Sequence, residues 1–174
     1  MTNTSTLVDT PTGLTSWHAN ALAERLEQGA RSLMTFASGL TDAEWHARVP
    51  HDGRTVGVTI HHVASVYPIE IELAQVIARG EPITAVTARD IDDMNARHAA
   101  EHHAVTKAMA LELLERNSAV AAMAIRAFTD GQLATAVPVS LYGDAPLTCQ
   151  FFLEDHAVRH SYHHLAKLKR ALHA

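Results

Sequence analysis

The chain has 174 residues, 47% hydrophobic and 19% charged, which suits one globular domain with a real core and excludes a disordered chain. Its formal charge of −5 comes with no basic stripe, so a nucleic-acid partner is not expected, and no apolar run approaches the ~18 residues of a membrane span. A lone cysteine, Cys149, allows neither an intrachain disulfide nor a cysteine-built zinc cage, while 13 histidines nearly equal the 14 lysines and arginines.

Residues 1–13 are polar and Thr-rich. They read as a flexible arm ahead of a domain over residues 14–174. With no basic n-region and no apolar h-region, they do not read as a signal peptide, and the cytoplasm is the expected compartment. A first helix is predicted from about Thr15 to Ser38. Leu22, Leu26, Gly29, Leu33, Phe36 and Leu40 recur at helical spacing, and Gly39 follows as a stop. Residues 49–54 read as a loop. Thr55 then caps a second helix that runs to about Arg79, closes at Gly80 and Pro82, and is kinked at Pro68. Residues 90–129 are helical but change apolar face partway. The pattern predicts a break near residues 105–117, with Asn117-Ser118 as a new cap. Residues 130–147 carry Gly131, Pro138, Gly143 and Pro146 and read as a crossover loop with a short hairpin around Tyr142-Gly143-Asp144. Thr148 caps a last helix. Four main helices with almost no strand signal predict an all-α four-helix bundle.

Placing residues at 100° steps sorts the histidines by face. On the second helix the apolar stripe is Val58, Val66, Ile69, Leu73 and Val76. His62 falls near its centre, and His61 falls with Glu72, Gln75 and Arg79 on the polar side. On the last helix the stripe is Ala157, Ser161, Leu165, Leu168 and Leu172. His160 and His164 lie at its edge and flank, whereas His156 and His163 point outward with Arg159, Lys167 and Arg170. Two imidazoles at i, i+4 can chelate one ion, and His62 from a facing helix can supply a third nitrogen. The competing reading is that inward histidines are hydrogen-bonded core residues, since one H-x-x-x-H pair among 13 histidines can arise by chance. Asn95, His98 and His102 share another face. They are candidates for the pocket, for support of the ligands, or for a competing metal pair.

The segment Thr55-Val56-Gly57-Val58-Thr59-Ile60-His61-His62-Val63-Ala64 resembles the second-helix motif of the DinB/YfiT-like metalloprotein superfamily. There a glycine precedes the liganding histidine by five, as Gly57 precedes His62. Residues 155–165 resemble its closing H-x-x-x-H motif, and residues 92–97 the start of its third helix. The resemblance spans about residues 15–172. It implies up-down-down-up topology and one divalent ion held by His62, His160 and His164. It also implies an S-transferase using a low-molecular-weight thiol such as mycothiol. A metal-dependent hydrolase, or a non-catalytic metal-binding stress or interaction protein, is the alternative. Two positions depart from the pattern: Arg54 replaces an aromatic residue before the second helix, and Leu165-Ala166 replaces Gly-Gln after the last ligand.

Three neutral imidazoles would leave an open position, where a water or thiol has its pKa lowered. Zinc suits three nitrogens, with nickel, manganese and iron as other candidates. A shell closed by Glu70 or His98 would favour a structural role, and an open shell facing a pocket an enzyme acting on a small molecule. Cys149, expected in the first turn of the last helix, is the alternative nucleophile if the helix dipole depresses its pKa. Ser161 carries no serine-hydrolase signature. A second apolar strip, Ile60, Tyr67 and Ile71, is expected to form either a homodimer surface or a contact with the 130–147 loop.

Overall fold

Helix α1 (Trp17–Ser38) opens the computed structural model, which describes residues 16–173; the arm expected over residues 1–13 lies outside the described residues. The Ser16 hydroxyl accepts from the Ala19 amide and so satisfies one orphan donor of the first turn. Helix α2 (Asp42–His46) is an element the periodicity does not reveal. Its start is a capping box between Thr41 and Glu44. Trp45 turns inward from it, and its indole Nε1 donates to the Val105 carbonyl at 3.1 Å.

Helix α3 (Val56–Ala78) starts at the expected Thr55 cap and is followed by Gly80 at φ +78°. Gly57 makes room for the indole, because a Cβ there would stand 2.3 Å from Trp45 Cε2. Pro68 cannot donate to the carbonyl four residues back. That carbonyl, on Ala64, accepts instead from Asn117 Nδ2 at 2.9 Å. Asn117 therefore does not re-cap a helix. The break comes earlier, at residues 102–106, between α4 (Ala88–Glu101) and α5 (Lys107–Arg126), where Thr106 is the cap.

The expected crossover loop contains helix α6 (Asp130–Ala134) and an antiparallel hairpin of β1 (Ala136–Val139) and β2 (Ala145–Thr148), turning through Gly143 at φ +65°. Ile83 adds to the edge of β1, donating to Pro138 at 3.0 Å and accepting from Ser140 at 2.8 Å. The last helix is not continuous: α7 (Cys149–Leu153) and α8 (Arg159–His173) are joined by a π-helical turn over Glu154–Val158.

Side-chain bonds fix the helix directions. Lys107 bonds the Leu40 carbonyl and Ser16 bonds Asp130, so α1 and α5 are antiparallel. Tyr67 meets Ser161 at 2.7 Å, and the Cys149 thiol meets the Ala74 carbonyl at 3.4 Å, so α3 runs against α7 and α8. Ala64 meets Asn117, and farther along Ile71 and Gln75 share a groove with Val120 and Ala124, so α3 and α5 are parallel. Arg25 pairs with Glu154 and Gly29 packs on Ser161, making α1 and α8 parallel. The result is the up-down-down-up four-helix bundle, with α4 within the crossover that a parallel pair requires.

The two apolar strips of α3 do not divide as expected, although Val58 of the first is in the core. Ile60, Tyr67 and Ile71 are buried in the core of the single chain and form no dimer surface. Val66, Ile69 and Leu73 instead line a cleft, and Ile69 stays 42% exposed. The physical reason is that α3 is apolar on nearly every side. Such a helix has no single stripe whose phase points to the core.

Candidate metal centre

His62 sits in the second turn of α3, facing α8. His160 and His164 lie one turn apart on α8, their rings stacked with centroids 4.9 Å apart. The His62 ring centroid is 5.4 Å from that of His160 and 5.6 Å from that of His164. One ligand nitrogen from each lies within 4.8 Å of the others. The sequence-predicted trio is thus brought together.

Glu70, two turns after His62 on α3, is buried and accepts from His160 Nδ1 at 2.6 Å. It is not in the trio of candidate ligands. A carboxylate on one ring nitrogen fixes the tautomer and leaves the other, Nε2, as a bare lone pair. His160 Nε2 and His164 Nδ1 are both buried without a partner among the described residues. Burial, reinforced by the neighbouring His160, pushes His62 down to about 3 and His164 down to about 2. These rings are therefore neutral at neutral pH, the form a metal requires. Buried, unpartnered nitrogens in a set of three converging imidazoles fit a divalent ion.

The trio opens on a cleft of 560 Å³, walled by Val66, Ile69 and Leu73 of α3, Ile91, Met94 and Asn95 of α4, Leu141 and Tyr142 of the hairpin, and Phe152 of α7. Arg54 and Lys167 also line it. Lys167 is therefore not on the solvent side, where the angular argument places it. Both cations hold Asp52: Arg54 through Nε at 2.5 Å and Nη2 at 2.9 Å, and Lys167 through Nζ. The Arg54 fork and then Lys167 keep the Asp52 carboxyl well below the usual carboxylate range despite burial. Arg54 Nη1 is buried without a partner among the described residues.

Of the remaining candidates, Asn95 lines the cleft, whereas His98 and His102 are not among its lining residues. They gather with His61, which is only 7% exposed and not on a polar face. His61 Nδ1 and His98 Nε2 are 2.9 Å apart, and burial first and neighbouring imidazoles second lower both rings to about 4. The angular argument fails for His61 because α4 folds against that side of α3. It fails for His156 because the π-helical turn adds a residue and shifts the phase of everything before α8. His156 is half-buried, stacks on Phe152 at 4.4 Å and meets the Tyr142 hydroxyl at 2.9 Å. His163 is exposed, as expected, though it too lines the cleft.

Cys149 is fully buried, and burial pushes its thiol up to about 12, so it is no nucleophile; the helix dipole does not prevail. Sequence reasoning passed over Glu70 as a supporting group. The available signal was a carboxylate inside the apolar run from Val66 to Ile77, which needs a partner when buried.

The model of the DinB superfamily matches residues 25–168. The chain belongs to the DinB superfamily. Its fold is similar to that of YfiT from Bacillus subtilis, described as "a probable metal-dependent hydrolase with an unusual four-helix bundle topology" (TM-score 0.71, 16% identity, 94% of this chain and 90% of that one). A putative DinB-family member from Exiguobacterium sibiricum is also similar (TM-score 0.56, 18% identity, 92% of this chain and 93% of that one). Among curated proteins none is significantly similar. In this DinB chain, no described helix is long and apolar enough to cross a membrane.

Proposed function

We propose that this DinB protein is a divalent-metal-dependent enzyme in which His62, His160 and His164 hold the ion and the cleft holds a small-molecule substrate. The observation that carries this reading is the pair of buried, unpartnered ring nitrogens, His160 Nε2 and His164 Nδ1, beside a cleft large enough for a ligand. A divalent ion held there would lower the pKa of a water or thiol at its open position, with zinc as our first choice of metal.

The chain's own residues supply the rest. Glu70 orients His160 and keeps its proton on Nδ1. The apolar walls exclude water from the substrate body. Arg54 Nη1, with Lys167 beside it, suits an acidic group on that substrate. We read the nucleophile as a low-molecular-weight thiol, so that the enzyme is an S-transferase; this rests on the motif resemblance. Hydrolysis is the second reading. It is supported by the described activity of YfiT and by the exposed His163, which borders the cleft as an available base. The single thiol, buried and free, accords with our assignment to the cytoplasm.

The test is turnover of electrophilic and ester substrates by tag-free protein, with and without added thiol, alongside metal analysis. His62→Ala, His160→Ala and His164→Ala should each lose the ion of this centre and the activity, while His163→Ala keeps the ion. Thiol-dependent turnover selects the transferase, and thiol-independent turnover the hydrolase. Full activity in His160→Ala would overturn the reading.

A further inference from the structure

A second cluster of imidazoles is built by the same rule as the first. His98 and His102 are four residues apart at the end of α4, as His160 and His164 are on α8, and His61 is the chain neighbour of His62. Successive helical residues point about 100° apart, so two adjacent histidines on α3 can serve two different helices. His62 meets α8 and His61 meets α4. One nitrogen from each of His61, His98 and His102 lies within 4.8 Å of the others. The His102 ring centroid is 4.2 Å from that of His61 and 4.7 Å from that of His98.

Three imidazoles turned together bring ring nitrogens against one another. The one proton in the 2.9 Å contact between His61 Nδ1 and His98 Nε2 satisfies a single pair. A divalent ion satisfies all three rings. Nitrogens at the usual tetrahedral zinc distance stand about 3.3 Å apart, so His61 and His98 need to separate by only a few tenths of an ångström. His102 is half-buried at the C-cap of α4, where the helix ends.

We propose that His61, His98 and His102 form a second divalent-metal site, suited to a borderline ion such as zinc or nickel, and that the bound ion clips α4 to α3. On binding, the proton of the His61–His98 contact moves to the far nitrogen of its own ring, so that ring keeps one N–H and frees a lone pair for the ion. An independent observation supports the clip. Helix α4 has no buried residue, so apolar packing does little to hold it, yet Ile91, Met94 and Asn95 wall the cleft. An ion at the end of α4 would fix that wall.

The experiment titrates zinc into chelator-stripped, tag-free full-length protein and counts bound equivalents. Two are expected in the parent, one in His102→Ala, one in His160→Ala and none in the double variant. The His160→Ala protein separates this proposal from the first centre, because it keeps one ion only if the second site exists. His98→Gln, which preserves bulk, guards against misfolding and should also bind one. In the His160→Ala background, zinc should slow amide hydrogen exchange in α4 and leave α5 unchanged. No equivalent bound by His160→Ala, or two that survive both His102→Ala and His98→Gln, would overturn the site. Exchange in α4 that ignores zinc would overturn the clip.

Discussion

Glu70 is the side chain on which the orientation of His160 depends. It occupies an apolar helix, and an unpaired carboxylate there would be costly; the His160 N–H is what compensates it. Glu70→Gln should therefore weaken zinc binding at the first centre by about 10–100-fold, the usual effect of losing such a support, while the fold persists. Competition against a chromophoric chelator measures this, and unchanged affinity would show that the bond does not steer the ligand. Gly57 makes the opposite point. It belongs to the motif preceding His62, yet its neighbour is the Trp45 ring, which is buried and tied to Val105. Gly57→Ala forces that ring aside and should cost about 1–3 kcal/mol in urea unfolding, with metal content kept in the folded fraction.

At the scale of elements, Asp52 joins the loop before α3 to α8 through Arg54 and Lys167. Its folded pKa lies below the unfolded value, so the unfolded chain binds the proton more readily. The contribution is present above the unfolded pKa of ~3.9 and is lost as pH falls through it toward the folded value. Asp52→Asn should be less stable than the parent at pH 7, and the gap should narrow below about pH 4. Denaturation midpoints across that range test it; a gap independent of pH would assign Asp52 a packing role alone. The long helices were legible because Thr55 and Thr148 are caps with strong local chemistry, and because His160 and His164 follow the π-helical turn, where a 100° step holds. Helices α2 and α6 were not, although Thr41…Glu44 and Thr129…Gln132 are capping boxes, since five residues are too few to show a period. His61 and the strips of α3 were misjudged for another reason. Periodicity locates a face only when the opposite face is wet, and the start of α3 is buried all round.

For the whole molecule, the division of labour between core and metal decides what chelation does. The core runs continuously through α1, α3, α5, α7 and α8, from Leu22 and Leu33 through Ile60 and Tyr67 to Leu114, Phe152 and Leu168. Apolar burial at ~25 cal/mol per Å² holds such a bundle without a metal, unlike a zinc finger. The imidazole trios are part-buried beside that apolar core, one bordering the cleft and one against α4, which has no buried residue. An ion present at 100 times its Kd adds about 2.7 kcal/mol per site, and a chain of this length shifts by about 2–4 °C per kcal/mol. Chelation should therefore lower Tm by roughly 5–11 °C per site emptied and leave far-ultraviolet circular dichroism nearly unchanged. Any loss of helix should come from the 14 residues of α4. Turnover should vanish, and with Cys149 sealed in the core no thiol of the chain can restore it. Collapse of the helical signal on chelation would instead make the metal a scaffold of the bundle, contrary to a core that closes without it.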